Sequence, residues 1–322
     1  MAENNQLATQ SQRGGLAKLK AVLNAESVQE QFANALAENK DLFVASIIDL
    51  YNGDASLQMC NPNAIVTEAL KAAVLDLPIS RSLGFAYIVV YKNKKKVTDP
   101  QTGRTDWVVV PTPTFIPGYK GYIQLAMRTG QYRTINADYV YEGELRTVNR
   151  LSGEIALDGN RTSDKIVGYF CYFELLNGYS KTLFMSVEDM AKYAKRYAPG
   201  IKQDTTIAQL IDKANNGIVS KSVGWEGNFN DMALKTVIRR VLSKYGYLSI
   251  KMQNAITADD SASQHALVAR DEALQIADAK TIDLDASTVD YEEVVDESTG
   301  EVTQQAQTAT AKAQQVDEDP GY

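Results

Sequence analysis

The sequence predicts an α+β fold: N-terminal helices, then a central antiparallel β-sheet built from hairpins and packed with helices, then a disordered acidic C-terminal tail. Three observations support this prediction. Apolar residues recur at helical spacing before Pro78, whereas β-branched and aromatic runs dominate the chain after it. Beyond Ala258 aromatic residues become rare and Asp, Glu, Gln, Ala and Thr prevail, a composition that favours disorder over a packed core.

We divide the 322 residues into four segments. The apolar fraction of the whole chain, 44%, is ordinary for a globular core, so most of the chain should fold. The segments are a disordered N-terminus (1–15), a helical region (16–80), an α+β core (81–257) and a flexible acidic tail (258–322). Residues 259–322 hold 16 acidic and 3 basic side chains, a balance of −13, and subtracting this from the whole-chain charge of −7 leaves +6 for the rest. The body of the protein is therefore mildly basic, although the whole chain is acidic.

Three helices are predicted in the N-terminal region. Ser27–Glu30 has the spacing of a capping box, in which the first and last side chains each bond a free backbone N–H. Leu42–Tyr51 repeats apolar residues at helical spacing. Asn61-Pro62 matches an N-cap followed by proline at the first helical position, and this helix is expected to run to about Asp76.

Strands are predicted where β-branched and aromatic residues follow one another. Phe85–Tyr91 and Trp107–Val110 should form a β-hairpin whose connection carries a basic arm, Lys92–Lys96. Further strands are expected around Thr114–Ile116, Ile135–Tyr141, Lys165–Leu175 and Lys181–Phe184. Asn177-Gly178 joins the last two, and this dipeptide is typical of a two-residue hairpin turn.

Residues Asn228 to Gly246 predict one long helix, which either Asn228 or Asn230 can cap and which Gly246 is placed to end. At about 100° per residue its apolar side chains gather on one side. These are Leu234, Val237, Ile238, Val241, Leu242 and Tyr245. The opposite, outer face would present Lys235, Arg239, Arg240 and Lys244. Such a face suits a phosphate backbone, although a merely solvated face is the commoner origin of a charge run.

Two shorter helices carry cations as well. In the helix predicted over Tyr119–Thr129, Lys120, Gln124 and Arg128 fall on one stripe at intervals of four residues. The helix predicted over Ser186–Tyr197 begins with acidic residues and ends with basic ones. That polarity complements the helix dipole, so we interpret it as structural.

Catalysis has no visible basis in the sequence, and we expect no enzyme activity. Gly217–Ser222 contains a Lys-Ser pair, but a phosphate-binding loop needs a second glycine and a preceding strand, which are missing. No cysteines and histidines share a metal-binding spacing, and the acidic pairs are scattered. Cys60 and Cys171 are expected to be packing residues in a reducing cytoplasm. With no export leader and no apolar run of about 18 residues, no membrane partner is expected.

Binding chemistry, in contrast, is abundant. Several of the 17 tyrosines stand beside cations, as in Tyr193 and Tyr197 around Lys195-Arg196. Trp225 and Phe229 lie in a Gly/Asn-rich stretch before the basic helix and are expected to be exposed rings. Cations that follow phosphates, with rings that stack on bases, are the combination that holds single-stranded nucleic acid.

Three segments resemble the RecT family of phage-type single-strand annealing proteins: Leu50–Asp54, Gly118–Tyr132 and Asn228–Gly246. Asp76–Ile79, which precedes Gly84–Tyr87, is similar as well, and the resemblance spans about residues 40–250. The arm over Lys92–Asp106 departs from the family and looks like an insertion.

The resemblance implies an ATP-independent recombinase that binds single-stranded DNA and anneals complementary strands in phage or prophage recombination. It implies the α+β core of annealing proteins, assembled into homo-oligomeric rings or helical filaments in the cytoplasm of a bacterial host. The implied partners are single-stranded DNA, the annealed duplex intermediate, a 5′→3′ exonuclease and the host single-strand-binding protein. No cofactor and no ATP are implied, and Mg²⁺ would at most assist annealing.

The DNA-binding residues predicted on this basis form three groups, and each residue could instead serve a subunit interface. The phosphate ligands are Lys235, Arg239 and Arg240, with Lys244 at the rim. The second stripe is Lys120, Gln124 and Arg128, and Arg81 and Lys221 are secondary candidates outside both helices. The stacking or wedge residues are Trp225 and Phe229. Two other functions remain open: a coating protein that binds strands without annealing them, and a metal-dependent nuclease.

Overall fold

The computed structural model describes residues 14–98, 105–149, 151–198, 200–217 and 224–263, and the backbone of 294–295 and 302–303. Within these ranges the side chains of 93–98 and 105–106 are not described. The predicted DNA-binding residue Lys221 and most of the predicted terminal segments therefore lie outside the described residues. The chain divides into two units, 1–276 and 277–322. In the second unit, strands β8 (Val294–Val295) and β9 (Val302–Thr303) form an antiparallel pair.

The N-terminal region is helical, as predicted. Its helices are α1 (14–23), α2 (Glu26–Leu36), α3 (Lys40–Gly53) and α4 (Pro62–Val74). Asn61 caps α4 by accepting a hydrogen bond from the Asn63 backbone, which confirms the predicted cap. The predicted capping box at Ser27–Glu30 is wrong, because α2 begins at Glu26 without a side-chain cap. The N-cap residue is Ala25, whose side chain cannot accept a hydrogen bond, and the Gln29 amide bonds the Leu23 carbonyl at 2.6 Å.

A long β-hairpin follows, formed by β1 (Ala86–Thr98) and β2 (Thr105–Pro117) in antiparallel register from Ala86–Pro117 to Thr98–Thr105. The predicted basic arm is thus part of a strand, since the backbone of Lys94–Lys96 pairs with that of Trp107–Val109. The base of the hairpin packs on α4. There, the Phe115 amide donates to the Glu68 carboxylate at 2.8 Å.

The central sheet has three antiparallel strands in the order β3-β6-β7. They are β3 (Tyr132–Tyr141), β6 (Ile166–Leu175) and β7 (Ser180–Ser186), with a small pair, β4 (Thr147–Val148) and β5 (Ile155–Ala156), between the first two in sequence. The turn between β6 and β7 contains Asn177-Gly178, but it is one residue longer than the predicted two-residue turn, because the Leu175 N–H donates to the Tyr179 carbonyl across residues 176–178. Gly178 is the last residue of this turn and has a positive φ of 85°.

Five helices in the described part of the chain accompany this sheet. They are α5 (Tyr119–Met127), α6 (Val187–Tyr197), α7 (Ile207–Asn216), α8 (Phe229–Tyr245) and α9 (250–263). Of these, α5, α6 and α8 contact the strands of the sheet. Helix α8 packs against all three strands and against α5 and α7. Helix α7 has no counterpart among the predicted elements, although Thr206 and Gln209 form the capping box that marks its start.

Helix α9 changes the predicted organisation of the C-terminal region. The predicted border of the tail, at residue 258, falls inside this helix. Met252, Ala255 and Ala262 on its inner side are buried, and Asp259 is only 5% exposed. Asp259 and Ala262, both beyond the predicted border, are therefore packed against the body of the protein.

Candidate nucleic-acid interface

Helix α8 begins and ends as predicted, with the Asn228 side chain capping its first turn and Gly246 at its C-cap. Its burial differs from the prediction, because Lys235 and Thr236 are buried together with the apolar side chains on the other side. The helix lies between the sheet and its helical neighbours and so is covered on more than one face. The expectation that Lys235 lies on an exposed face is therefore wrong.

Lys235 is buried because it is neutralised by a buried acid of α9. Its Nζ lies 2.5 Å from Asp259 Oδ1, and the Tyr122 hydroxyl donates to Asp259 Oδ2 at 3.0 Å. Both charged side chains are less than one tenth exposed. Burial and then the Asp259 carboxylate raise the pKa of Tyr122 well above its usual range, which keeps this phenol a donor. We call Tyr122, Lys235 and Asp259 the buried ionic cluster.

Arg239 extends this cluster towards the surface. Its Nε lies 3.3 Å from Asp259 Oδ2 without hydrogen-bond geometry, and its Nη2 pairs with Asp260. The Arg239 side chain is 24% exposed and that of Asp260 is 53% exposed. Two of the four cations predicted to bind phosphate are thus paired with acids of α9.

The second predicted stripe is also divided by the structure. Arg128 donates to the Asp76 carbonyl at 2.7 Å and lies 3.2 Å from the Asp76 carboxylate. Asp76 has a positive φ of 53°, so Arg128 supports a strained turn after α4. Lys120 is exposed, with its Nζ 5.9 Å from the Tyr119 ring centre, and Gln124 is half-buried between these two cations.

The two rings expected to be exposed belong to an aromatic cluster. Phe229 is 2% exposed and packs against Tyr169, so the prediction that its ring is exposed is wrong. Trp225 is half-buried, 5.1 Å from the Phe229 ring and 6.3 Å from the Tyr193 ring. The Gly/Asn-rich sequence around them forms the entry to α8, where large apolar rings fill the junction with β6 and α6.

Four exposed or partly exposed cations line a continuous surface beside the sheet edge. We call Lys181, Arg196, Arg240 and Lys244 the outer strip. The Nζ atoms of Lys181 and Lys244 each lie 5.2 Å from the Tyr245 ring centre. Among the described residues, none of the four cations forms an ion pair with an acid. The outer strip is therefore electrostatically available, unlike the buried ionic cluster.

Tyrosine rings connect the cations of the outer strip. Arg240 Cζ lies 5.6 Å from the Tyr193 ring centre, and the Tyr193 and Tyr197 rings are 4.8 Å apart. Arg196 Cζ lies 5.3 Å from the Tyr197 ring. Tyr197 and Tyr245 are exposed by 46% and 36%, so part of each side chain is accessible to a ligand. Alternating cations and rings of this kind suit the backbone and bases of a single strand.

Sequence reasoning predicted Arg240 and Lys244 in this surface but missed Lys181 and Arg196. The signal for Arg196 was present, since tyrosines flank it, but the helix-dipole explanation accounted for it. Lys181 carried no local signal, because only the pairing of β7 with β6 brings it beside α8. Arg81, also predicted, is paired with Asp54.

Other chemistries receive no support from the described residues. Within them, no group of three or more His, Cys, Asp or Glu side chains is placed to hold a metal ion. No helix in the described part of the chain is long and apolar enough to cross a membrane. Both cysteines are buried, as expected of packing residues, and burial raises the pKa of the Cys60 thiol to about 11.

Comparison with known proteins shows the family of the chain. The sequence profile of the RecT family matches residues 41–273. The chain belongs to the RecT family. Within this family it is 38% identical to the uncharacterized protein YqaK of Bacillus subtilis (strain 168) over 249 residues, 77% of this chain and 74% of that protein. It is 26% identical to the protein RecT of Escherichia coli (strain K12) over 247 residues, 74% of this chain and 78% of that protein.

Membership in the RecT family confirms the resemblance inferred from the sequence and connects the chain with single-strand annealing in DNA recombination. The match to the family ends at residue 273 and so includes α9 and its acids Asp259 and Asp260. All three residues of the buried ionic cluster therefore lie within the part of the chain that matches the family profile.

Proposed function

We propose that this RecT-family protein binds single-stranded DNA along the outer strip and anneals complementary strands without ATP. The observation that carries the proposal is the row of four cations on α6, β7 and α8, interleaved with tyrosine rings and without an acidic partner in the described part of the chain. Family membership supports the annealing step, which requires contact with two strands.

The chemistry of annealing follows from what the outer strip offers. Lys and Arg side chains neutralise phosphates and so reduce the repulsion between two backbones, which needs no hydrolysis. Exposed faces of Tyr197 and Tyr245 can stack on bases, at roughly 1–3 kcal/mol for each stacked base. Because the contacts are to phosphates and ring faces, the base edges remain free to pair with a second strand.

The proposal extends to the setting in which annealing occurs. The protein acts as a homo-oligomer, a ring or a filament, in the cytoplasm of a bacterial host, and carries both the single strand and the annealed duplex intermediate. A 5′→3′ exonuclease supplies the strands, and the host single-strand-binding protein is displaced from them. Mg²⁺ assists only by screening the two backbones. Membership in the RecT family supports these partners.

Annealing of two complementary oligonucleotides by the purified full-length chain, without ATP and across a salt series, tests the proposal. We expect annealing to be accelerated, and in binding titrations over the same salt series the logarithm of the affinity for a single strand should fall with the logarithm of salt with a slope of about −3 if four phosphates are neutralised at about −0.7 each. Tight binding without acceleration would make the protein a coating protein, and strand cleavage with Mg²⁺ would make it a nuclease.

The contribution of the outer strip is isolated by the double variant Arg240→Ala/Lys244→Ala. We expect it to fold and to lower the salt slope by about 1.4, the share of two phosphates. The matched control is Lys18→Ala/Lys20→Ala, which removes two exposed charges from α1. Equal effects of the two double variants on annealing would show that only net charge matters, and would count against this surface.

A further inference from the structure

An exposed apolar surface lies at one end of the central sheet, where the turn between β6 and β7 meets the connection from α8 into α9. Its large side chains are each at least 40% exposed, and Ile250 reaches 77%. We call this surface the apolar end, and its members are Leu176, Tyr179, Tyr247, Leu248 and Ile250. Single exposed apolar side chains are ordinary, but a group of five from two separate parts of the sequence indicates a contact surface.

Tyr132 holds the two parts of the apolar end together. The Tyr247 N–H donates to the Tyr132 hydroxyl at 2.8 Å. The Tyr132 ring lies 5.6 Å from the Phe173 ring, which in turn lies 6.1 Å from the Tyr179 ring. Tyr132 and Phe173 are both buried. The two turns are therefore fixed on one buried aromatic base.

Positive charge borders the apolar end. Lys244 and Lys251 stand on either side of the α8–α9 connection, and both side chains are exposed. Among the residues that the structure describes, neither ammonium lies within salt-bridge distance of a carboxylate. An apolar surface with unpaired cations at its rim fits a partner surface that is apolar and acidic.

The chain itself carries a surface of this kind on the outer side of α3. At about 100° per residue, four exposed residues of this helix fall within an arc of about 100°. We call them the acidic arc: Asp41, Leu42, Ala45 and Asp49. Leu42 is 72% exposed and the Asp41 side chain 91% exposed, whereas the opposite side of α3 is buried. An exposed leucine between two carboxylates is the counterpart of the apolar end with its cations.

The two surfaces belong to different parts of the fold. Helix α3 packs on α2, α4 and the turns that flank it, whereas the apolar end stands on β3, β6 and α8. A contact between two different surfaces of identical chains is head-to-tail, and its repetition produces a ring or a helical filament.

We propose that the apolar end of one protomer binds the acidic arc of a second copy of this chain. The proposal rests on the proposed function, since it supplies the contact that would build its ring or filament. Lys244 and Tyr245 of the outer strip precede Tyr247 directly in sequence, so the strip runs up to the apolar end. A copy seated there lies beside the end of the strip, where one DNA strand can pass from protomer to protomer.

Sedimentation velocity of the nucleic-acid-free full-length chain over a concentration series tests the contact, alone and with an oligo-dT too short to bridge two protomers. We expect the unmodified chain to assemble beyond a dimer. Leu176→Ser/Ile250→Ser, which changes only the apolar end, should weaken assembly at least about 30-fold, because buried apolar anchors dominate such contacts. Leu42→Ser/Asp49→Asn, which changes only the acidic arc, should have the same effect.

An equimolar mixture of these two variants is the decisive measurement. Each variant keeps one intact surface, so a head-to-tail contact predicts a dimer that cannot grow further. The matched control is Val108→Ser/Val109→Ser, which changes two exposed side chains of the β1–β2 hairpin and should assemble like the unmodified chain. If a serine variant of either surface does not fold, Lys251→Glu or Asp49→Lys replaces it, because both of these side chains are exposed.

A monomeric unmodified chain under both conditions would overturn the contact, as would a mixture that stays monomeric or a control that loses assembly equally. Dimers of the acidic-arc variant alone would show that the apolar end pairs with itself, and would overturn the head-to-tail contact. Annealing is measured separately, so the two proposals can fail independently. Annealing without assembly leaves strand annealing standing, whereas assembly without annealing overturns the proposed function and keeps the contact.

Discussion

Replacement of Asp259 by alanine is expected to be among the most damaging single changes on the surface-to-core boundary of this protein. The change leaves the Lys235 ammonium buried without its counter-ion at 2.5 Å and removes the acceptor of the Tyr122 hydroxyl. Loss of one partner of a buried ion pair costs about 3–5 kcal/mol, because the remaining charge is neither paired nor hydrated. That is a large share of a typical total stability of about 5–15 kcal/mol.

The neighbouring residue supplies the control. Asp260→Ala removes the same chemical group one position further along α9, but the Asp260 side chain is 53% exposed, so the loss should stay below about 1 kcal/mol. Urea unfolding followed by far-ultraviolet circular dichroism measures both. A loss for Asp259→Ala of about 1 kcal/mol or less, equal to that of Asp260→Ala, would refute the assignment of the buried ionic cluster as a packing element.

Three further predictions follow from the same geometry. Arg240→Ala should weaken binding of single-stranded DNA and lower the salt slope of that binding by about 0.7, with little loss of stability. Arg239→Ala should instead lower stability, because it removes the partner of Asp259 and Asp260. Binding titrations and urea unfolding of both variants test this. A chain ending at Ala258 should be destabilised because it lacks Asp259, while one ending at Ile276, the border of the first unit, should unfold like the whole chain. Cys60 should resist thiol reagents in the native state, which thiol labelling tests. Because its pKa rises from 9.0 to about 11 on folding, the free energy of unfolding should fall as the pH rises through that window, which unfolding from pH 8 to 11 tests.

Element boundaries were predictable from the sequence wherever a local signal set them. The caps at Asn61 and Asn228 are each decided by a few neighbouring residues, and both are confirmed. The turn at Asn177-Gly178 is present as well but is one residue longer than predicted. The same reasoning misplaced the start of α2, because the extended residue before this helix is Ala25, whose side chain cannot accept a hydrogen bond, and Ser27 lies inside the first turn.

The orientation of the cations was not predictable, because their partners are distant in sequence. A helical wheel places Lys235 on the side of α8 opposite its apolar side chains. That side is exposed only if no other element packs against it. The acid that covers Lys235 is 24 residues further on, in a segment whose composition indicates a tail. Lys181 shows the converse, since only the strand order brings it to the outer strip.

The contrast between buried and exposed charges has a practical consequence for handling the protein. Concentrated salt shortens the reach of exposed charges to about 3 Å at 1 M but screens buried pairs much less. A high-salt wash should therefore strip co-purifying nucleic acid from the outer strip while the Lys235–Asp259 contact keeps α9 in place. Nucleic-acid-free protein can on these grounds be prepared by elution alone, without a cycle of denaturation and refolding.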